Sequence, residues 1–505
     1  MAWTASIVQL LGNAPWLLLL SLVVRYLVHQ YQSYRKLSHI PGPWIAAWSH
    51  AWNVSVVLRQ RLHLDVHAVS STYGPLVRIG PNEVLTTDAD FLHRIQSARS
   101  QYRRSDWYKG QQFTPGVDNL LSMTDDKTHG KRRAQMRAGF TRKGMESIID
   151  RHIANLIHLI RRKYAGVHGQ RMDLAQKAQF FTIDVITELV TGASFGNLAL
   201  DQDRYEYLHA TDRLVVIMSY ITNIPWITWF FQLPWVAARF ALDGTEETGP
   251  GKMIGIVKDI IEKRVSEDKP TEPDMLQTFL DNGITKEEAV FETMVAFLGG
   301  SDTSSMAIGA TMLLAMTNPR VYYRLQSEID HAVRERAIND RVIKDSEASQ
   351  LPYLQAVIKE GLRLYPPVTG KLPKRSPVGG DDINGVHIPG GVEISMNVYT
   401  MLRSGQTFGP DGNDFRPERW LDETMDPVRR KRMEYVLDLI WGGGKYKCLG
   451  QKMALIQLPK IVFELMRNFE WSLIDPSCPW QSKNTGLWIQ KNLDVRVLDR
   501  GTCSS

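Results

Sequence analysis

Cys448 ends a run whose residue types point to metal chemistry, Trp441-Gly442-Gly443-Gly444-Lys445-Tyr446-Lys447-Cys448-Leu449-Gly450. A helical stretch follows, Gln451 to Asn468, interrupted by Pro459. A glycine-rich loop that delivers a cysteine to a helix N-terminus puts the sulfur where the dipole favours a thiolate. Lys445 and Lys447 add positive charge, and flexible glycines let backbone N–H groups point at the sulfur and tune a bound metal. A phosphate-binding loop is excluded, because no Gly-Lys-Ser/Thr ending is present. A structural cysteine, buried as a small hydrophobe, is the alternative the loop alone leaves open.

Three further groups could take part. In Gly299-Gly300-Ser301-Asp302-Thr303-Ser304, two glycines interrupt an otherwise helical stretch at a cost of roughly 1 kcal/mol each. Either a flat ligand approaches the backbone there, or small residues let another helix pack closely; the segment itself leaves both open. Glu360 and Arg363, at i,i+3 spacing, share one helical face, an arrangement most often found as a weak surface pair. His129 and Arg133 share another beside Lys131 and Arg132, a run that alone reads as a solvated basic face.

The elements that must hold these residues are mostly helices. The longest runs from about Lys286 to Thr317, with Thr285 and Glu288 as a capping box and Asn318-Pro319 as the stop. At about 1.5 Å per residue it spans on the order of 45 Å, enough for a central beam. Leu76 to Thr87 alternates around Gly80-Pro81-Asn82 as a β-hairpin, and Ile383 to Ile394 reads as a second, with Asn384-Gly385 at its turn and Pro389-Gly390-Gly391 closing the strand. Nearly everything from Lys127 to Tyr365 has helical character, so the fold class is mainly α with a small β portion. No linker or repeat divides the chain, which argues for one large folded unit.

The cysteine loop resembles the haem-binding signature of the cytochrome P450 family: an aromatic residue, a glycine three positions on, the cysteine four further and a glycine two beyond. Trp441, Gly444, Cys448 and Gly450 supply them. Trp441 stands where phenylalanine is usual, and Tyr446 where many members carry arginine; Lys445 is basic one position earlier, as in fungal members. Four other landmarks follow the family's order. They are the His129/Arg133 pair, Gly300 to Thr303, Glu360-Gly361-Leu362-Arg363, and Phe415-Arg416-Pro417-Glu418-Arg419-Trp420.

The resemblance implies the P450 fold behind a single N-terminal transmembrane helix, and haem b with Cys448 as the axial ligand of its iron. It implies that Cys448, His129, Arg133, Lys374, Trp441, Gly444, Lys445 and Gly450 contact the cofactor, and that Asp302 and Thr303 are catalytic, handling protons and bound oxygen. Glu360, Arg363 and Arg419 would form a buried ionic triad. The activity implied is a monooxygenase acting on an apolar small molecule, a secondary metabolite such as a terpenoid, polyketide or alkaloid. No dinucleotide fingerprint precedes a helix, so electrons from NADPH would come through a separate cytochrome P450 reductase, with cytochrome b5 as a further donor. Lys131, Arg132, Arg137, Lys445, Lys447 and Lys452 would form a basic patch for that acidic partner. A haem-thiolate isomerase or dehydratase and a non-catalytic haem sensor are the rival functions. The aromatic stretch Ile224 to Phe240 would cover the pocket mouth and touch membrane, with ordinary core packing as its alternative.

Composition fits this setting. Hydrophobic residues make up 43% and charged residues 23% of the 505, enough apolar material for a large core. The three cysteines, Cys448, Cys478 and Cys503, are too far apart for a zinc clamp or a disulfide framework, and so imply a reducing compartment. A net charge of +6 without a nucleic-acid motif argues for a membrane surface or an acidic protein and against nucleic acid. From Trp3 to Val24 no residue is charged, close to the roughly 20 residues a membrane helix needs. Arg25, Arg35 and Lys36 follow, placing the rest in the cytosol, on the endoplasmic reticulum membrane. The expected division is an anchor over 1–28, a basic and proline-rich hinge over 29–45, and the catalytic haem-binding domain over 46–505. Asn53-Val54-Ser55 is a glycosylation sequon whose modification would reverse that topology.

Overall fold

A 31-residue helix, Lys286–Met316, is the beam against which the other layers pack. The expected capping box forms: the Thr285 hydroxyl accepts from the Glu288 N–H at 3.2 Å, and the Glu288 carboxylate accepts from the Thr285 N–H at 3.0 Å. Most of its residues are buried and the buried ones fall on every face, as enclosure by other elements requires. Leu174–Thr191 lies along it, with Pro352–Leu364 and Gln451–Asn468 also against it. The structure, a computed structural model, describes residues 2–141, 144–166, 170–266, 273–336, 338, 341–422 and 424–501, with the side chains of 2–15, 17 and 18 left aside. Cys503 lies outside them.

The small β portion centres on a five-stranded sheet in the order Leu76–Gly80, Glu83–Thr86, Glu393–Met396, Lys374–Arg375, Arg103–Arg104. Its first two strands are the expected hairpin, with an irregularity between Arg78 and Gly80. The second expected hairpin is shorter than its sequence pattern: Asp381–Ile383 pairs with Val386–Ile388 around Asn384 and Gly385, both at positive φ, and ends there. Gly390 breaks it, since a Cβ there would lie 2.2 Å from the Val378 carbonyl oxygen, and the chain then departs as Glu393–Met396 into the larger sheet. Four strands after residue 468 go beyond the sequence expectation; in Asp494–Asp499, Val495 and Val497 alternate inward against Phe469–Leu473.

The N-terminal helix extends over Ala2–Lys36, past the expected anchor boundary. Among the described residues no single helix is long and apolar enough to cross a membrane. Leu37 and Ile40 are already core residues, and the Arg78 N–H donates to the Pro41 carbonyl at 2.8 Å. A Cβ on Gly42 would fall 2.1 Å from the Arg78 carbonyl oxygen, so Pro41-Gly42-Pro43 is fastened to the first hairpin and is no free linker. Asn53 is buried, donating to Glu83 at 3.0 Å and accepting from Lys371 at 3.2 Å. In the folded protein its amide has no room for a glycan, and an unmodified sequon there says nothing about topology.

Candidate active site

The loop before Cys448 is shaped by glycines that nothing else could replace. Gly442 and Gly444 have φ of 68° and 53°, and a Cβ on Gly444 would lie 2.2 Å from the Gln96 carbonyl oxygen. The loop therefore rests directly on the backbone of residues 96–98. The Cys448 N–H donates to the Trp441 carbonyl at 2.8 Å and closes it. Gly450 caps the helix Gln451–Asn468, which begins and ends where the sequence places it and carries Pro459 inside.

Cys448 is exposed, yet ringed by enough protein that burial pushes the thiol up. The Gly450 N–H, the Arg133 charge and the Gln451 N–H pull it down without prevailing. The helix end favours the thiolate as expected, through the Gly450 and Gln451 N–H groups, whereas the two lysines are engaged elsewhere. Lys447 faces Asp438 at 3.2 Å and Lys445 faces Asp126 at 2.6 Å, so neither serves the sulfur.

Beside the loop lies a cluster of cations. Strand Arg103–Arg104 pairs with Lys374–Arg375, and Arg104 stands directly opposite Lys374, both buried. Like charges in that relation repel. The Lys374 ammonium sits 3.2 Å from the centre of the Tyr446 ring and has no hydrogen-bond partner; burial, then Arg104 and Lys445, drive its pKa well below the usual range. Arg104 stacks over the same ring at 4.5 Å and donates to the Leu120, Leu121 and Met123 carbonyls. His129 is buried with Nδ1 unpartnered, and burial together with Arg104, Arg133 and Lys374 lowers it to about 3, leaving it neutral. Arg104 was invisible in the sequence, because only the pairing of distant strands brings it to Lys374.

Arg132, expected on the exposed basic patch, is instead buried and ion-paired to Glu292 at 2.5 Å and to Glu288, both on the central helix. With Lys445 and Lys447 also paired, that patch shrinks. The anchor for the helix Asp126–Arg137 is the gain.

On the central helix the two glycines divide the two readings between them. A Cβ on Gly300 would sit 2.6 Å from Ile186, so Gly300 is there for helix packing. Gly299 is exposed on a buried helix, and a Cβ on it would meet nothing within 4 Å, so its face is open for a ligand. The Thr303 hydroxyl donates to the Gly299 carbonyl at 2.6 Å, on that open face. Asp302, about 100° further round the helix, accepts from Ser301 at 3.1 Å, and Ser301 is bonded to Tyr207 at 2.9 Å. Burial raises Asp302 to about 7, the Ser301 hydrogen bond opposing and the Asp212 charge adding.

The Cytochrome P450 family model matches residues 40–497. The chain belongs to the cytochrome P450 family. It is 35% identical over 471 residues, 92% of each chain, to cytochrome P450 monooxygenase aba1 of Botryotinia fuckeliana. To cytochrome P450 monooxygenase ABA1 of Pyricularia oryzae it is 35% identical over 495 residues, 95% of this chain and 96% of that one. The similarity to cytochrome P450 monooxygenase abl1 of Leptosphaeria maculans is 34% over 489 residues, 93% of this chain and 85% of the relative.

In this P450 the expected triad is complete. Arg363 donates to both Glu360 oxygens at 2.8 and 2.7 Å, Arg419 donates to one at 2.8 Å, and the Trp420 indole donates to the other at 2.8 Å. All three charged side chains are fully buried, which overturns a surface-pair reading of Glu360 and Arg363. Remaining guanidinium protons go to the carbonyls of Leu402, Gly412, Phe408 and Asp411. Family membership brings haem with a cysteine thiolate, and the residues fit it. Cys448 offers an exposed thiol, Gly299 an open helix face for a flat ring, and Lys374, Arg104 and His129 buried nitrogen groups that form no ion pair with a carboxylate among the described residues.

Proposed function

We propose that this P450 is a monooxygenase that binds haem b through Cys448 and oxidises an apolar small molecule of fungal secondary metabolism. Dioxygen is the co-substrate, and NADPH-cytochrome P450 reductase, with cytochrome b5 as a further donor, supplies electrons. The observation that carries this reading is the conjunction of an exposed cysteine at a helix N-terminus with the buried Lys374 and Arg104, neither of which forms an ion pair with a carboxylate among the described residues.

Within that reading Cys448 would hold the iron, and His129, Arg133 and Lys374 would receive the haem carboxylates, with Arg104 beside them. Trp441, Gly444 and Gly450 shape the cysteine loop. Lys445 acts at one remove, by holding Asp126, to which the Tyr446 hydroxyl also donates. A haem held through the Cys448 sulfur would supply the electron density that favours O–O cleavage. Thr303 presents a hydroxyl on the open face of the central helix, and Asp302, protonated up to about pH 7, is a proton source one residue away.

We assign the enzyme to the endoplasmic reticulum membrane, with residues 1–28 as a single-pass anchor and the catalytic body in the cytosol. Support comes from the uncharged run Trp3 to Val24, the exposed Leu19, Leu20, Leu22, Val23 and Val24, and the basic residues after them. Trp226, Trp229 and Trp235, each about two-thirds exposed on the short helices Pro225–Phe231 and Pro234–Phe240, favour a membrane-facing rim over core packing. The test is spectral titration of the haem-loaded enzyme with a panel of terpenoids, polyketides and alkaloids, followed by turnover of each binder with reductase and NADPH. Hydroxylated product that requires both NADPH and reductase supports the proposal. Conversion without either would point to an isomerase or dehydratase.

A further inference from the structure

A cavity on the flank of the central helix is not used by the chemistry above. It lies between Leu174–Thr191, Tyr207–Asn223, the central helix and strand Trp488–Lys491, and Gln179, Asp212, Asp302, Ser305 and Gln490 give it a polar lining. Asp302 lines this cavity, while its neighbour Thr303 lies on the open Gly299 face. On the opposite wall Asp212 forms an ion pair with Lys491. The Lys491 side chain is 49% exposed and that of Asp212 19%, so the pair reaches from solvent to the cavity. Gln490, buried in the lining, has an amide nitrogen without a hydrogen-bond partner. Two carboxylates and two amides supply the several polar partners that an internal water needs.

We propose that Asp212 and Lys491 form the solvent-side gate of a proton entry that reaches Asp302 through this cavity. The inference rests on the monooxygenase reading, which supplies the consumer. Dioxygen, two electrons from NADPH and two protons give one oxygen atom in product and one in water. For each proton that Asp302 releases toward the Thr303 side, a cavity water hydrogen-bonded to Asp212 returns one, and bulk hydronium restores the water. Groups facing Asp302 fit the role. Asp212 and Tyr207 come from one helix, Lys491 acts through Asp212 from the strand, and Leu174–Thr191 contributes the uncharged Gln179. The elevated pKa of Asp302, to which Asp212 contributes, keeps it able to take up a proton near neutrality.

The test uses full-length, haem-loaded enzyme and two variants, Asp212→Asn and Lys491→Gln. Infrared difference spectra follow the Asp302 carboxyl, with Asp302→Asn assigning its band. Asp212→Asn should lower the Asp302 midpoint, and Lys491→Gln, by unmasking Asp212, should raise it. With reductase and NADPH and no added substrate, Asp212→Asn should slow NADPH oxidation roughly fivefold and enlarge its solvent deuterium isotope effect. Asp212→Glu should restore both. If both variants keep the thiolate-type carbonyl spectrum while neither midpoint nor isotope effect moves, the gate is wrong and the monooxygenase reading stands. A wild-type enzyme without that spectrum overturns both.

Discussion

Two clusters of buried cations in this P450 are built on opposite terms. Around Glu360, Arg363 and Arg419 are fully buried, and each is matched to a shared carboxylate and to carbonyl oxygens. Around Tyr446, Arg104 and Lys374 face one another across paired strands, and the Lys374 ammonium meets only the face of a ring. Burying a charge without a partner is costly, and Lys374, buried with no hydrogen bond among the described residues, leaves room for an anion from outside. The first cluster is a closed structural joint; the second is half of a binding site.

Breaking the closed joint should have the largest effect. Glu360→Ala takes from Arg363 its carboxylate and leaves Arg419 only the longer 3.3 Å pair with Asp411, and should cost about 3–5 kcal/mol, read as a large fall in the denaturation midpoint or as loss of soluble protein. A cost near zero would remove the contrast between the clusters. Asp302 is a carboxyl with no ion pair among the described residues, and here the effect is kinetic. Because its pKa is raised to about 7, the acid form persists near neutrality and is lost as pH climbs further. Turnover should therefore decline above about pH 7, and Asp302→Asn should lower it about a hundredfold and flatten that limb. A wild-type profile unchanged through that range would contradict the assignment.

Lys374 should show opposite signs in the two forms of the protein. Lys374→Met removes an unpaired buried ammonium and should raise the melting temperature of the haem-free chain. The same change removes a charge-assisted hydrogen bond worth about 1.5–3 kcal/mol and should speed haem transfer to apomyoglobin roughly tenfold or more. Equal signs in both forms would make Lys374 an ordinary core residue. Smallest is the glycine pair. Gly300→Ala drives a methyl into Ile186 and should destabilise by about 1–3 kcal/mol, whereas Gly299→Ala meets no protein atom and should stabilise the haem-free helix by roughly 1 kcal/mol while weakening haem retention.

Legibility followed the range of the interactions. The central helix and its caps, the first hairpin and the helix after Cys448 rest on contacts within a few residues, and each lies where its local pattern puts it. Glu360 and Arg363 show the limit of spacing, which puts two charges on one face without saying whether that face meets water; only the family pattern pointed to burial. Arg104 carried no signal, because its neighbour Lys374 comes from a strand far along the chain. Lys445, Lys447 and Arg132 were assigned to an open basic surface, and each found an acid on another element instead. The end strands were readable from the alternation of Val495 and Val497, a period that the helical majority obscured.

The sulfur at position 448 bears the whole reading, and one optical measurement reaches it. Full-length enzyme is reduced under carbon monoxide, wild type beside Cys448→Ser. The account predicts the red-shifted Soret band of a thiolate-ligated carbonyl haem in the wild type and its disappearance in the variant. An identical band in both, or no haem in the wild type, would contradict it.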